Sequence, residues 1–526
     1  MNRPVSAVSL LLGCAVVCSA QSDGRYDVVV VGGTPGGIAT AVTAARLGRS
    51  VALAEYHAHL GGMSASGLGK SDIEKREMIA GFFTEFVGRV KAHYVSRYGA
   101  RSENVELSRD GYFYEPSVAE RIFDQLVAEQ SAITVLKGHR LERATVEDGR
   151  VTALTLVDRS TRQQKTLRGR VFVDATYEGD LFAAAGAKFR IGRESREEFG
   201  EPHAGQIYLD FRTSRVVGGS GAGDDRIPAY SFRLCLTSNP DNAAPLPGPP
   251  PDYDRTRYLG YLDDGRSGRF PGQPVTRIAL TIAPLPNAKT DVNMNPRGLG
   301  FVFAEANAGY PDGSWEQREQ IVGRLRNLTL GLLWFLQNDP ELKDDSRALA
   351  RRYHLARDEF TDNGHFPFQL YVREARRLVG VYTLSERNVT EQPGLTSQRR
   401  HADAIAVGEF PIDSFPVRKR QARDTVALEG YLGMLRGITR PYQIPYRIMV
   451  PERLNGLLVP VAASTTHVAF SSIRLEPTWM AMGQAAGVAA HLAIEHGREL
   501  REAPIDELQS LLRKQGAVID LPSGVE

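Results

Sequence analysis

A chain of 526 residues is long enough for two or three domains, or for one large discontinuous domain. Its hydrophobic content of 42% and charged content of 24% are ordinary for a globular protein. The formal net charge of +2 gives no reason to expect binding to nucleic acid or to an acidic membrane surface, and no segment after the leader is apolar over the length of a membrane span.

The N-terminal segment predicts export. Val5–Val17 is mostly apolar but too short to span a bilayer, and Cys18–Ala20 has the small-residue pattern of a signal-peptidase site. We therefore expect residues 1–20 to be a signal peptide cleaved before Gln21, and the mature protein to be periplasmic or extracellular. Two alternatives stay open: the residues before Cys14 resemble a lipobox, which would make a lipoprotein, and the leader could remain uncleaved.

Cysteine usage fits an exported protein without disulfides. Beyond the leader, Cys235 is the only cysteine, so neither an intramolecular disulfide nor a cysteine-based metal site is expected. With no second cysteine to resolve it, Cys235 is better explained as a small buried hydrophobic residue than as a redox thiol.

The segment Tyr26–Glu55 has the pattern of a dinucleotide-binding unit. Val28–Val31 predicts a buried strand, Ile38–Leu47 a helix and Val51–Ala54 a second strand. A glycine-rich turn separates the first strand from the helix, and an acidic residue ends the second strand. This order of strand, turn, helix, strand and acid is that of a nucleotide-binding βαβ unit.

Each part of that unit has a physical role. Gly32 allows the sharp turn, Gly37 allows close helix–strand packing, and the helix N-terminus favours a pyrophosphate. Thr34 stands where the usual motif has its middle glycine. Glu55 can accept hydrogen bonds from ribose hydroxyls and would repel a 2′-phosphate, so FAD or NAD is expected and NADP is not. The cofactor-binding residues predicted here are Gly32, Gly33, Thr34, Gly36, Gly37 and Glu55.

The segments that follow alternate between loops, helices and short strands. Tyr56–Asp72 is a glycine-rich loop, Ile79–Tyr98 predicts a helix, and another helix is expected to begin at Glu115. A strand over Val171–Thr176 ends in polar residues, followed by a helix over Tyr177–Gly186. Four short strands before it predict a small antiparallel meander: Ile133–Leu136, Arg143–Val146, Val151–Val157 and Lys165–Leu167.

The residue pattern changes in the middle of the chain, and the pattern typical of a dinucleotide-binding domain returns near its end. Residues 192–440 read as an inserted α+β substrate domain, with a helix over Leu325–Gln337. Leu457–Val461 then predicts a buried strand, and Thr478–His496 a helix rich in small residues. The predicted FAD-binding domain is therefore discontinuous, over residues 24–191 and 441–500, and residues 501–526 form a C-terminal tail.

Seven segments together resemble the FAD-dependent oxidoreductases of the glutathione-reductase-like superfamily. They read VVVVGGTPGGIATA, HLGGMSASGLG, VFVDATYEGDLFAAAGAKFRIGRES, KTDVNMN, FPFQLYVREARRLVG, YQIPYRIMVP and HVAFSSIRLEPTWMAMGQAAG, and the resemblance covers the chain from about Tyr26 to Gly497. The resemblance implies an α/β fold with a Rossmann-like FAD-binding domain, an antiparallel β-meander and an inserted substrate domain. It also implies FAD rather than NAD. A Gly-Asp pair common in related flavoproteins is absent, since Val459–Ala462 stands in its place.

Further residues are expected to hold the rest of FAD, in the HLGG loop, at the end of the VFVDAT strand and in the final helix. They are Gly62, Met63, Asp174, Thr176 and Gly483.

Three residues are the candidates for catalysis. His467 lies between the last strand and the final helix, where it could act as a base or be hydrogen-bonded inside a turn. Arg474 could hold a polar substrate or pair with Glu476. Arg373 is expected on a helix opening near Tyr371, and could bind an anion or belong to a solvated, internally paired face.

Other polar residues are weaker candidates. Lys289, Asp291 and Asn293 alternate and could form one polar wall. His365 is a second possible base or a surface-loop histidine, and the histidines beside the HLGG loop, His57 and His59, offer a covalent attachment point for flavin that the spacing does not demand.

The sequence therefore predicts an exported FAD-dependent dehydrogenase or oxidase, with no metal. It would take a hydride from a polar substrate such as a sugar or hydroxylated compound, and pass electrons to an unidentified acceptor. A reductase of an activated double bond and a non-catalytic FAD-binding protein remain as alternatives.

Overall fold

The computed structural model describes residues 22–422 and 426–522. The predicted signal peptide and the lipobox cysteine Cys14 lie outside the described residues. Within those ranges no helix has both the length and the apolar character needed to cross a membrane.

The strands range from two residues in β7 to eleven in β6. They are β1 Ser22–Val31, β2 Val51–Ala54, β3 Ile133–Leu136, β4 His139–Glu147, β5 Arg150–Asp158, β6 Gln164–Asp174, β7 Phe189–Arg190, β8 Tyr208–Asp210, β9 Arg215–Gly218, β10 Leu234–Thr237, β11 Ala243–Ala244, β12 Leu280–Leu285, β13 Lys289–Met294, β14 His354–Ala356, β15 Arg377–Leu378, β16 Ala404–Gly408, β17 Ala427–Glu429, β18 Tyr442–Pro445 and β19 Leu457–Leu458.

The helices range from single turns to one of 24 residues. They are α1 Pro35–Arg46, α2 Phe82–Tyr98, α3 Glu103–Leu107, α4 Pro116–Ala128, α5 Asp180–Ala184, α6 Arg196–Phe199, α7 Gly260–Arg266, α8 Val275–Ala279, α9 Trp315–Asn338, α10 Asp344–Arg351, α11 Glu386–Val389, α12 His467–Ile473, α13 Glu476–His496 and α14 Ile505–Lys514.

A seven-stranded sheet organises the nucleotide-binding part. Its strand order is β3-β2-β1-β6-β5-β4, and β19 also pairs with β6. Strands β3, β2, β1, β6 and β19 run parallel, whereas β5 is antiparallel to both β6 and β4. The sheet is thus mixed, with parallel strands buried between helices and an antiparallel meander at one edge.

Two details of the predicted meander were wrong. Ile133–Leu136 is a strand, but it pairs parallel with β2 instead of joining the meander. The physical reason is the connection, because α4 carries the chain across the sheet and a helical crossover returns a strand in the parallel direction. Lys165–Leu167 and Val171–Asp174 are also one strand, β6, whose first half pairs with β5 and whose second half pairs with β19.

Helix α13 packs along α1 on one face of this sheet. A Cβ atom added to Gly483 would lie 2.0 Å from the carbonyl oxygen of Gly36, so the two backbones touch where only glycine fits. One turn further on, the Thr40 hydroxyl donates to the Gly483 carbonyl at 3.0 Å. The late helix is therefore a fixed part of the first βαβ unit.

The middle of the chain is joined to the nucleotide-binding part by strand pairs. Its own sheet has five strands in the order β11-β14-β10-β13-β12. Strand β15 pairs with β7, and β16 pairs with β18, so both pairs cross the predicted domain boundaries. The C-terminal segment is helical over α14, whose Leu508 and Leu512 are buried.

Candidate active site

A cavity of about 330 Å³ lies at the carboxyl ends of β1, β2 and β6. Open α/β sheets bind ligands at this edge. Gly32, Thr34, Glu55 and Thr176 line the cavity from the sheet side, which brings together four of the predicted cofactor residues. Side chains of α9 and of residues 363–370 line it from the opposite side.

Glu55 is buried against the glycine turn. Its carboxylate accepts the Gly33 N–H at 2.5 Å and the His57 N–H at 2.7 Å. Burial raises the pKa of Glu55 to about 7, although both N–H groups favour the ionised form. The residue predicted to hold the ribose is therefore fixed in place, and its charge depends on pH near neutrality.

Thr34 explains the departure from the usual glycine motif. It is the N-cap of α1, where its hydroxyl accepts the Gly37 N–H at 3.2 Å and donates to the Ala175 carbonyl at 2.8 Å. In this first turn Pro35 has no N–H and the Gly37 N–H donates to Thr34. The N–H of Gly36 is therefore the one that would donate to an anion. Threonine lacks the conformational freedom of glycine, but its hydroxyl caps α1 and bonds to Ala175, directly after β6.

Gly37 is required by close packing. A Cβ atom there would lie 1.9 Å from the Gly32 carbonyl oxygen, and Gly32 itself has a φ of +102°. Gly483, in contrast, meets the backbone of Gly36 and does not line the cavity. Its observed contact is helix packing.

The HLGG loop is tied to the start of α13 through one tyrosine. The Tyr177 hydroxyl accepts the Met63 N–H at 3.0 Å and donates to a carboxylate oxygen of Glu476 at 2.6 Å. A Cβ atom on Gly62 would lie 2.3 Å from that hydroxyl. Gly62 and Met63 therefore lie where the loop, the end of β6 and the start of α13 meet.

Asp174 acts on its own strand end. Its carboxylate accepts the N–H and the hydroxyl of Thr176 at 3.0 and 2.7 Å, and the Phe182 N–H at 2.9 Å. Burial raises the pKa of Asp174 to about 6. The side chain positions Thr176, which lines the cavity, and holds the start of α5.

His467 is the first residue of α12, which Thr466 caps. Its Nδ1 lies 2.7 Å from Glu194 Oε2, and its backbone N–H donates to the same oxygen at 2.9 Å. Burial lowers the pKa of His467 even with this carboxylate beside it. Arg377 lies 3.0 Å from Glu194 and completes a buried chain of three charged or titratable groups.

The predicted helix near Tyr371 is wrong. Residues 371–377 are extended, because Tyr371 pairs with Ser231 and β15 pairs with β7. Arg373 is consequently not on a solvated helix face: its side chain is fully buried.

Arg474 also has partners other than the predicted one. It donates to the Tyr371 hydroxyl at 3.1 Å and to the Asp413 carbonyl at 2.7 Å. Glu476 instead accepts from Tyr177. Arg474 and Arg373 therefore meet around Tyr371, a convergence that long-range pairing alone produces.

The other polar candidates are mostly paired within the protein. Lys289 is buried, and its Nζ lies 2.7 Å from Glu115 Oε1 and 2.6 Å from Glu359 Oε1. Asp291 pairs with Arg233 at 2.7 Å. Thus the predicted polar wall on β13 is used internally. Cys235 is buried, His59 pairs with Glu120, and His57 lines the cavity, where burial lowers its pKa to about 3.

The family model described as FAD dependent oxidoreductase matches residues 27–512. The chain belongs to this family. It is an FAD-dependent oxidoreductase, and the glycine turn, the buried acid and the cavity above them fit the cofactor.

Similar solved structures include two other oxidoreductases. A geranylgeranyl bacteriochlorophyll reductase-like protein from Thermoplasma acidophilum is 13% identical, with a TM-score of 0.37, over 94% of this chain and 84% of that one. The glycerol-3-phosphate dehydrogenase from Bacillus halodurans, complexed with FAD, is 14% identical, with a TM-score of 0.22, over 35% of this chain and 43% of that one.

The cavity of this oxidoreductase contains residues that sequence reasoning missed. Tyr56 stacks on Trp315 of α9 with ring centroids 4.8 Å apart, and Arg159 lies 3.9 Å over the Tyr56 ring. Arg318, also on α9, donates to Asp180 at 2.9 Å. These residues come from widely separated segments. The sequence indicated that α9 is an apolar helix, but it did not indicate that α9 packs beside this cavity.

Proposed function

We propose that this enzyme is a dehydrogenase or oxidase that removes a hydride and a proton from a polar, hydroxylated substrate, with His467 as the proton acceptor. The observation that carries the proposal is the contact of His467 Nδ1 with Glu194, at 2.7 Å. An ionised carboxylate can only accept, so Nδ1 carries the proton and Nε2 keeps its lone pair.

The surroundings of His467 keep this arrangement. Burial alone would raise the pKa of Glu194, but Arg377 and His467 hold it well below its usual range. Burial lowers the pKa of His467, so the ring is neutral at pH 7 and able to take a proton. A hydroxyl proton would go to Nε2 as the C–H bond breaks.

The residues that would hold FAD are those of the sheet edge. Glu55 would accept from the ribose, and the Gly36 N–H would face the pyrophosphate. FAD, when bound, supplies the acceptor for the two electrons that leave with the hydride. The chain contributes position, exclusion of water and the proton acceptor.

An anaerobic flavin-reduction screen tests the proposal. The FAD-loaded enzyme would be mixed with sugars, polyols, amines and hydroxy acids, and the flavin absorbance followed. Reduction by one class, slowed at least tenfold in His467→Gln with unchanged FAD content, is the expected result. Reduction that is as fast in His467→Gln as in the wild type would remove the histidine from this role.

We also propose that the chain falls in the glutathione-reductase-like superfamily, with a discontinuous FAD-binding domain over residues 24–191 and 441–500 and an inserted substrate domain over 192–440. The mixed sheet with its antiparallel edge supports this. Limited proteolysis with and without FAD tests the division, because cuts should cluster near residues 192 and 440.

Export is proposed from the leader alone. Mass spectrometry of the mature N-terminus distinguishes cleavage before Gln21 from processing at Cys14 and from an intact leader.

A further inference from the structure

Arg373 differs from the other buried arginines in having no carboxylate partner. Among the described residues, each of the others has a carboxylate oxygen within 4.0 Å: Arg193, Arg233, Arg318, Arg376, Arg377, Arg399, Arg420 and Arg474. Arg373 is only 1% exposed, and no carboxylate oxygen of residues 22–422 or 426–522 lies within that distance. A buried charge without a partner of opposite charge destabilises a folded protein strongly.

The contacts that Arg373 does make are neutral. Its guanidinium donates to the Ala229 carbonyl at 2.9 Å and to the Ser231 hydroxyl at 3.1 Å, and its Nε has no acceptor. The Phe415 ring lies 3.5 Å from the guanidinium carbon, and the Tyr371 ring lies 4.1 Å away. Aromatic faces and carbonyls stabilise the cation without neutralising it.

Two more guanidinium groups surround the same tyrosine. Arg474 lies 5.9 Å from the centre of the Tyr371 ring and donates to its hydroxyl, and Arg233 lies 6.0 Å from the ring. Arg233 is neutralised by Asp291, whereas the Arg474–Asp413 ion pair is longer, at 3.7 Å. Burial, with both arginines nearby, lowers the pKa of Arg373 to about 9.

This arginine cluster adjoins, along the chain, two residues that line the cavity. Phe232 and Leu370 line the cavity, and the next residue in each segment, Arg233 and Tyr371, belongs to the cluster. The glycine-rich loop packs on the same segment, since a Cβ atom on Gly67 would lie 1.9 Å from the Arg233 carbonyl.

We infer that Arg373, with Arg474 and Tyr371, binds a carboxylate of the substrate, so that the enzyme acts on a hydroxylated organic acid. The inference rests on the proposed function, whose substrate class it narrows. A guanidinium presents paired N–H donors that match a carboxylate, and the bound anion supplies the charge that Arg373 lacks.

Binding to the oxidised enzyme tests this with a readout that does not require turnover. The FAD-loaded protein is titrated with glycolate, L-lactate and D-glucuronate, and with their uncharged counterparts glycolamide, L-lactamide and D-glucose, while the visible flavin spectrum is followed. At least one acid should give a saturable change, and its uncharged counterpart should bind at least tenfold more weakly.

The variant Arg373→Gln should weaken binding of that acid at least tenfold, and Arg373→Lys should lose less. Arg399→Gln is the matched control, because it also removes a buried arginine but one that pairs with Glu391. Flavin content and the melting temperature show whether each variant is folded. If Arg373→Gln does not fold, the comparison of acids with uncharged counterparts on the wild type still decides.

Three results would overturn the inference: no saturable change with any acid, equal binding of the uncharged counterparts, or unchanged acid binding in Arg373→Gln. The last result together with a shifted flavin reduction potential would assign Arg373 to the cofactor. If a neutral donor reduces the flavin while no acid binds, the proposed function stands and this inference fails. If acids bind while no donor reduces the flavin, the proposed function fails instead.

Discussion

Gly483 and Gly36 are in backbone contact although 447 positions separate them in the chain, and a Cβ atom on Gly483 would lie 2.0 Å from the Gly36 carbonyl oxygen. The contact packs α13 onto α1, the helix whose first turn would face the pyrophosphate. The position of that turn thus depends on a residue near the other end of the chain.

Gly483→Ala should therefore separate α13 from α1. We expect a loss of about 1–3 kcal/mol in the free energy of unfolding, the usual cost of overpacking, together with weaker FAD binding. Urea unfolding and FAD titration measure the two effects. The control is Gly88→Ala, on the exposed face of α2 with nothing near its added Cβ, which should stabilise the protein by about 0.5–1 kcal/mol. Equal behaviour of the two variants would contradict this account.

FAD affinity should rise with pH through the titration of Glu55. Its pKa is about 7 without ligand, and the ionised form accepts from ribose hydroxyls more strongly than the neutral acid does. The dissociation constant for FAD should fall between pH 6 and pH 8. Glu55→Gln should remove this dependence and weaken binding at pH 8 about tenfold or more, since a lost hydrogen bond to a charged group is worth about 1.5–3 kcal/mol.

Glu178→Gln is the control for that titration. Glu178 lines the same cavity, and burial raises its pKa to about 7 as well. If Glu178→Gln removes the pH dependence and Glu55→Gln keeps it, the assignment to Glu55 is wrong.

Glu476 should make the protein less stable as pH rises. Burial raises its pKa from 4.5 to about 8, so the native state binds more protons than the unfolded state between these values and stability falls with increasing pH. Glu476→Gln keeps an acceptor for the Tyr177 hydroxyl and removes the titration. As pH rises, the free energy of unfolding of the variant should increase relative to that of the wild type by at most about 1.4 kcal/mol per pH unit.

Urea unfolding at pH 5, 6.5 and 8 measures this difference, at one saturating FAD concentration so that the contribution of FAD cancels. The two proteins should be similar at pH 5 and diverge by pH 8. Parallel curves over the whole range would exclude Glu476 as the titrating group.

Removing Glu194 should cost more than removing an exposed carboxylate. Glu194→Gln leaves the fully buried Arg377 with Glu374 as its remaining close acidic partner among the described residues, at 3.2 Å. Breaking a buried pair costs about 3–5 kcal/mol. Glu129→Gln, which removes the partly exposed partner of Arg89, should change stability little. Denaturant midpoints compare the two variants.

The first βαβ unit was predictable because its information is local. Val28–Val31 and Val51–Ala54 are buried runs, and both strands include these residues. The helix starts earlier than predicted, at Pro35, because the proline and glycines that read as turn residues form its first turn behind the Thr34 cap. FAD followed from this unit together with the family resemblance.

What the sequence did not reveal depends on distant pairing. Ile133–Leu136 is recognisable as a strand, but its partner follows from the crossover through α4. The spacing of Arg373 and Arg377 fits a helix, yet pairing with Ser231 and with β7 keeps that segment extended. Trp315 and Arg318 reach the cavity from α9, and nothing near them in the sequence indicates a nucleotide.

Strand β19 completes the parallel sheet beside β6, and α13 follows it. Nearly nine-tenths of this chain is therefore translated before β19 and α13, which complete the nucleotide-binding sheet and its helix layer, become available. Until then, the glycine face of α1 and the outer edge of β6 have no cover. The dependence of folding on chaperones should therefore increase with the interval between synthesis of Asp174 and synthesis of Leu457. A circular permutation that shortens this interval should reduce that dependence.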